Sequence, residues 1–208
     1  NRLLWKKNKI EVYSENLKNE KILNFEKKDD QLFSLIKNHD LLNLLMHSLK
    51  KNKLINFIKK DFDYAKLEHK YKLVFNCDPL NSISIKYFYK KIEKDYKSYA
   101  HTTIIHHKNI SNNTALQVFT KNGPIAFLPI SKSKTSVVYS SREKYDIDLS
   151  KYILKFNKRY EITKIDKSSK FKLKSTNLRI YYHKNILAFG DLLHRIHPLA
   201  GQGYNMTI

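Results

Sequence analysis

The chain has 208 residues, 41% hydrophobic and 12% aromatic, which is enough to bury a core in one or two domains and too apolar for a disordered chain. Its formal charge of +21 comes from 40 Lys and Arg against 19 Asp and Glu. The lysines run along the whole chain without RNP, KH, finger or basic-zipper patterns, so the charge reads as compositional drift in a Lys-, Asn-, Ile- and Tyr-rich sequence rather than as a nucleic-acid-binding stripe.

The elements follow in chain order. Asn1 is not Met, and Tyr204 to Ile208 break off where a helix should start; both ends are expected to be cuts in a longer protein. Ile10 to Ser14 and Lys21 to Phe25 have strand character around a polar turn, Asn16 to Glu20. Leu41, Leu42, Leu44, Leu45, Met46 and Leu49 form a helical stripe, expected to be core, with Asn38 or Asp40 as N-cap. Leu54 to Ile58 and Tyr71 to Phe75 read as short strands, the second closed by Asn76-Cys77-Asp78-Pro79. Ala100 to His106, Thr114 to Thr120, Ile125 to Ile130 and Thr135 to Ser140 are rich in β-branched and aromatic residues and are separated by Asn, Gly and Ser turns. They predict an antiparallel sheet. Asp148 to Tyr160 reads as an amphipathic helix. Phe171 to Leu173, Leu178 to Tyr182 and the apolar Ile186 to Phe189 complete the strands.

Cys77 is the only cysteine, which excludes an internal disulfide framework and a thiolate zinc site and favours a reducing compartment. It is expected to be a small core residue. No apolar run approaches the roughly 18–20 residues of a membrane-spanning helix. His106 and His107 should point to opposite faces of a strand and read as structural. His194 and His197 are three apart, but nothing near them in sequence supplies a third ligand, so no metal is expected. No Ser/His/Asp or paired-carboxylate pattern marks a catalytic side chain.

Three of the four glycines, Gly190, Gly201 and Gly203, fall within residues 190–203. In so glycine-poor a chain this marks backbone that approaches a ligand or takes positive φ. The order is buried strand, Gly190-Asp191, a short segment, His197-Pro198, Gly201-Gln202-Gly203, then a helix start. In an open α/β sheet, ligands bind beyond the carboxyl ends of the strands. Asp191 there can accept hydrogen bonds from a sugar-like hydroxyl, and the loop through Gly203 offers N–H groups that favour negative charge.

The segment Gly190-Asp191-x-x-His194-x-x-His197-Pro198-Leu199-Ala200-Gly201-Gln202-Gly203-x-Asn205 resembles the second FAD-binding segment of class A flavoprotein monooxygenases, above all the ubiquinone-biosynthesis (2-polyprenylphenol) hydroxylases. By that resemblance Asp191 would hold the ribityl chain of FAD, Pro198 to Gly203 would line the isoalloxazine ring, and Asn205 would support the loop. Gly123 to Ile130 resembles the family's sheet strand facing the substrate. Asn76 to Ser82 stands where the family has Gly-Ala-Asp-Gly-x-x-Ser; Asp78 and Ser82 match, both glycines are absent, and Ile85 stands in place of an arginine. Phe33 to Leu49 resembles the strand and helix the family opens with Asn-Arg, here Asn38-His39.

The expected fold is α/β, a fragment of a Rossmann-like FAD-binding domain interleaved with an antiparallel β-sheet substrate domain. Residues 1–34 and 91–180 are assigned to the substrate domain, and residues 35–90 and 181–208 to the FAD-binding domain. The cofactor-binding set is Gly190, Asp191, Pro198, Gly201, Gln202, Gly203, Asn205 and Asp78. The resemblance implies FAD, NAD(P)H as reductant, O₂, a polyprenylated phenol, and a cytoplasmic location peripheral to the inner membrane (mitochondrial matrix side if eukaryotic), with an anionic membrane surface and other ubiquinone-biosynthesis proteins as partners. The altered segment 76–82 keeps a second reading open: a non-hydroxylating flavin oxidoreductase or a degenerate accessory paralogue. A basic nucleic-acid-binding protein, resting on charge alone, is the third.

Overall fold

A computed structural model describes residues 3–17, 20–27, 30–59, 67, 70–142 and 147–196. The elements in chain order are β1 (Trp5–Lys7), β2 (Lys9–Ser14), β3 (Glu20–Glu26), β4 (Phe33–Leu35), α1 (Asn38–Lys51), β5 (Val74–Asn76), α2 (Ser82–Tyr87), β6 (Lys91–His107), β7 (Thr114–Thr120), β8 (Gly123–Pro129), β9 (Lys134–Ser141), α3 (Leu149–Phe156), β10 (Ile162–Ile165), β11 (Ser169–Leu178), β12 (Tyr182–His183), β13 (Ile186–Ala188) and β14 (His194–Arg195). Single 3-10 turns lie at Glu15–Leu17 and Gly190–Leu192. The chain forms two compact units, Asn1–Asn56 with Ser98–Lys172 and Phe57–Lys97 with Leu173–Ile208. By packing, α1 therefore groups with the large sheet, whereas the sequence reading set its boundaries at 34, 90 and 180.

In the first unit β6, β9, β8 and β7 pair antiparallel in that order, as the sequence predicts for 98–140. Beyond β7 the sheet changes sense: β2 pairs parallel with it, and β3 pairs antiparallel with β2. Alternation decides which face is covered. Ile105, Ile125, Phe127, Val137 and Tyr139 point to one face and are fully buried, and α3 lays Leu149, Ile153 and Phe156 against them. Each such side chain contributes about 1.5–3 kcal/mol by leaving water. The β7–β8 turn requires Gly123: its φ is +138°, and a Cβ there would lie 1.9 Å from the Ser140 carbonyl oxygen.

Several elements differ from the sequence reading, each for a local reason. Helix α3 is capped by Asp148, whose carboxylate accepts from the Ser150 N–H at 3.1 Å. It stops at Phe156 rather than Tyr160 because the Asn157 side chain bonds the Tyr160 N–H and carbonyl. Helix α1 forms over the expected residues, but Lys37 sits at its N-cap without a side-chain bond, so neither Asn38 nor Asp40 caps it. None of its residues is buried, and Leu42, Leu44 and Leu45 are about half exposed. The stripe read as core is thus a surface in this chain. Leu54 to Ile58 is no strand: Asn52 turns the chain by accepting the Leu54 N–H on its side chain and the Ile55 N–H on its carbonyl. The two pieces expected near 171–173 and 178–182 are largely one continuous strand, β11, followed by the short β12.

The second unit holds a small sheet ordered β12–β13–β5. β13 runs parallel to β5 with Ile186, Leu187 and Ala188 opposite Val74, Phe75 and Asn76. β12 and β13 form a hairpin, with Lys184 at φ +50° in the turn. Ile186, Ala188, Leu178, Leu192, Ile83 and Phe88 make its core. β14 pairs with the end of β11, Thr176 opposite Arg195 and Asn177 opposite His194.

Candidate functional site

The parallel pair β5/β13 brings two strand ends to the same edge of the small sheet, and the Phe189 N–H donates to the Asn76 carbonyl at 2.9 Å to tie them. Parallel pairing of this kind needs a long crossover, here residues 77–185. Its open carboxyl end is where α/β sheets take ligands.

On β13's side the chain passes through Gly190 at φ +60°, a left-handed conformation in which a side chain costs roughly 1–2 kcal/mol. The 3-10 turn closes with the Leu193 N–H on the Gly190 carbonyl at 3.0 Å, and Leu192 anchors it in the core at 2% exposure. Asp191 stands exposed in this turn. Among the described residues its carboxylate has no hydrogen bond or ion pair.

On β5's side Asn76 and Pro79 stand where the resemblance has glycines, and Asn76 enters a part-buried side-chain network. Asn76 donates to Ser84 Oγ at 2.8 Å and accepts from Asn81 Nδ2 at 2.7 Å. The Asn81 side chain also caps α2 by accepting from the Ser84 N–H at 2.8 Å. Asp78 serves the turn, its carboxylate accepting from the Leu80 N–H at 2.8 Å. The spacing Asn81-x-x-Ser84 was the available sequence signal for this cap and was missed. Cys77, expected in the core, is exposed because it follows the last strand residue. Partial desolvation pushes its thiol above the ordinary range, the opposite of an activated nucleophile.

Of the predicted set, the structure brings Gly190, Asp191 and Asp78 to the two adjoining strand ends. Pro198, Gly201, Gln202, Gly203 and Asn205, with His197, lie outside the described residues. His194 sits on β14, where its Nε2 is buried without a hydrogen bond among the described residues. It lines a groove of about 480 Å³ with Tyr96, Asn177, Tyr181 and Arg195, which the sequence did not reveal. Among the described residues no three His, Cys, Asp or Glu side chains gather as metal ligands. His106 and His107 do face apart. His107 is buried against Tyr160 and Thr135, while His106 pairs with Asp166 at 3.0 Å. With Lys164 and His106 beside it, Asp166 is held down to about 2.

No family model matches the chain. Among curated proteins it is similar to the mitochondrial ubiquinone biosynthesis monooxygenase COQ6 of Mus musculus, 28% identical over 138 residues, covering 46% of this chain and 29% of that protein. It is also similar to the Xenopus tropicalis protein of the same name, 24% identical over 156 residues, covering 52% and 34%. The chain thus spans about a third of the length of the curated relatives it matches. Among solved structures, pqsL, a probable FAD-dependent monooxygenase from Pseudomonas aeruginosa, has a TM-score of 0.69 at 16% identity, over 98% of this chain and 65% of that one. CmlS, a flavin-dependent halogenase, has a TM-score of 0.70 at 13% identity, over 99% of this chain and 44% of that one. The α/β fold, with its antiparallel sheet and small parallel layer, is that of flavin-dependent monooxygenases and halogenases.

Proposed function

We propose that this chain is part of an FAD-dependent aromatic-ring monooxygenase whose substrate is a polyprenylated phenol of ubiquinone biosynthesis. The observation that carries the reading is Asp191: an exposed carboxylate with no described partner, at the carboxyl end of a strand paired parallel with β5, inside the segment that resembles the family's second FAD-binding motif. The residues at this edge fit a flavin's polyhydroxylated chain. Asp191 is an acceptor for hydroxyl donors, Gly190 keeps the backbone there free of a Cβ, and the Phe189–Asn76 bond holds the edge rigid. FAD reduced by NAD(P)H would supply the activation of O₂ and the transfer of one oxygen atom to an electron-rich ring. This chain's contribution is binding, orientation and water exclusion, and no side chain of it is assigned as a catalytic acid, base or nucleophile.

The exposed apolar side chains support the reading of a part within a larger enzyme. Leu73 and Phe75 on and beside β5 are more than half exposed, although parallel strands are ordinarily covered on both faces. In the first unit, Leu42, Leu44 and Leu45 of α1 are likewise about half exposed. In a full-length enzyme further chain would cover them.

A second reading rests on the end of β5. Asn76 and Pro79 stand at the glycine positions, Asn76 is tied to Asn81 and Ser84, and Asp78 is committed to its own turn, which favours a flavin oxidoreductase that does not hydroxylate, or an accessory paralogue. One experiment separates the two. Full-length protein is supplied with FAD, NAD(P)H, a short-chain polyprenylphenol and isotopically labelled O₂. Label in a ring hydroxyl is expected; NAD(P)H consumption with label only in hydrogen peroxide would favour the second reading, and a protein that never retains flavin would end both.

A further inference from the structure

We propose that the first unit carries a pH-sensitive latch: neutral Lys7 fastens the β1–β4 ribbon to Asn112, and protonation of Lys7 favours local release of that ribbon. The device lies wholly within the first unit and does not depend on the flavin reading. β1 and β4 form a sheet of their own, with Trp5 opposite Leu35, Lys6 opposite Ser34 and Lys7 opposite Phe33. So short a two-stranded ribbon is not stable in water by itself, and its ties to the rest of the unit decide whether it stays formed. Two side chains make such a tie at a single atom. The Lys7 amine and the Trp5 indole N–H donate to the Asn112 carbonyl oxygen at 2.9 and 2.8 Å. Asn112 is itself held firmly. Its side-chain amide donates to the Ser131 carbonyl at 2.8 Å and to Thr135 Oγ1 at 3.0 Å, and its side-chain oxygen accepts from the Tyr160 hydroxyl at 3.2 Å. The ribbon's own packing is looser: a crevice of about 110 Å³ beside it is lined by Trp5, Leu35, Ile36 and Ile130.

The site suits an amine better than an ammonium. Lys7 is fully buried, both lone pairs of the Asn112 carbonyl oxygen are in use, and no carboxylate among the described residues pairs with Lys7. An ammonium would bring a charge and three N–H donors to one shared acceptor. The Trp5 ring, centred 5.0 Å from the amine, gives a cation a modest attraction. Burial outweighs it and lowers the amine to about 7. The charged groups on the surrounding elements face water or have other partners. Lys6 on β1, Lys37 before α1, and Lys132 and Lys134 at the β8–β9 turn are exposed. Lys9 on β2 pairs with Glu11, and Asp40 on α1 with His39. At Asn112 itself stand Tyr160 and His107, whose Nε2 lies 3.0 Å from Thr135 Oγ1 and 3.4 Å from Asn112 Nδ2. In water the lysine amine has its ordinary value of 10.5, so the released state holds the proton more tightly than the closed one. The closed state therefore gains as pH rises from 7 toward 10.5 and loses as pH falls, with the loss nearly complete just below 7. Because β4 leads directly into α1, release loosens the attachment of that helix.

The test is hydrogen exchange by NMR on the 208-residue chain, with rates corrected for the pH dependence of exchange in free peptides. Trp5 is the only tryptophan, so its indole N–H gives one signal that reports the bond to Asn112. The Leu32 N–H, which donates to the Lys7 carbonyl at 2.7 Å, reports the ribbon. Protection of both should fall about 25-fold from pH 8.5 to 6.5 and less than about twofold from pH 6.5 to 5. Both should also be at least about tenfold less protected than the β8–β9 amides and nearly insensitive to low urea, as a local opening requires. Lys7→Met should abolish the fall. A histidine is the other side chain at this hub that titrates near neutrality, and His107→Gln should leave the fall in place. Protection equal to that of β8–β9, with the same urea slope, would reduce the effect to global unfolding and overturn the latch. So would a fall that survives Lys7→Met or disappears in His107→Gln. Should Lys7→Met not fold, the wild-type course still decides, since protection that keeps falling below pH 6.5 would rule out Lys7 as the titrating group.

Discussion

Asp191→Ala in a full-length enzyme separates a flavin-binding role from a structural one. In this chain the carboxylate is exposed and has no hydrogen bond or ion pair among the described residues, so its removal breaks nothing described in the fold. An exposed substitution of that kind changes stability by about 0.5 kcal/mol or less. If Asp191 instead accepts from a bound hydroxyl, the lost charge-assisted hydrogen bond costs about 1.5–3 kcal/mol of binding, or roughly ten- to a hundredfold in Kd. Fluorescence quenching of FAD titrated into apoprotein measures the Kd, and a thermal melt of the same apoprotein measures stability. Asp191→Asn keeps an acceptor oxygen but loses the charge, and it should fall between wild type and alanine. An unchanged Kd would remove Asp191 from the site, and an unchanged Kd beside a lowered Tm would give it a purely structural role.

Residues 1–208 alone should retain FAD weakly or not at all, because the Gly-rich loop that holds a dinucleotide's pyrophosphate is not in this sequence; stoichiometric flavin after gel filtration would refute this. Gly123→Ala should destabilise the first unit by about 3 kcal/mol or more, since it adds both a positive-φ penalty and a Cβ 1.9 Å from the Ser140 carbonyl; a urea midpoint close to wild type would contradict it. Lys7 is fully buried and donates to the Asn112 carbonyl, and burial lowers its amine from 10.5 to about 7. The folded state therefore holds fewer protons than the unfolded one between pH 7 and 10.5, so Lys7 adds stability as pH rises through that window and no pH dependence below it, on the order of 4 kcal/mol across the whole interval. Lys7→Met should flatten that rise relative to wild type in urea titrations at pH 7 and pH 10, and parallel curves would refute the assignment.

What the sequence disclosed follows the physics of each signal. The strands at 100–106, 114–120, 125–130 and 135–140 were legible because one face is covered and the other is not, so burial imposes a period of two. The parallel pairing of β2 with β7 was not legible: strand composition does not encode direction, and the partners are about 100 residues apart. Asn157 and Asn52 overrode helix and strand patterns with a single side-chain turn each. The leucine stripe of α1 was read correctly as a helix and wrongly as core, because periodicity reports an apolar face and not what covers it. Gly190-Asp191 was legible because glycines are scarce here. The His194 groove was not, because it arises where β14 meets β11, a contact of two residue pairs.

The two strand ends at the candidate site bear unequal functional weight. A glycine-rich turn lets a ligand approach the backbone closely. At β5 this chain instead spends its polar groups on itself: Asn76, Asn81 and Ser84 satisfy one another, and Asp78 holds the Leu80 N–H. Such a network ties the turn together, and it leaves the Asn76 side chain no donor or acceptor to spare for a ligand. At β13 the reverse holds, with a left-handed glycine, an exposed carboxylate without a described partner, and a turn held by backbone hydrogen bonds and by buried Leu192 rather than by side-chain polar groups. Recognition of a polyol should therefore depend on the β13 end, and the β5 end should act through rigidity. On the proposed reading, flavin binding would persist in a chain that lacks both glycines of the earlier motif, and Asp191 rather than Asp78 is the residue on which that reading stands.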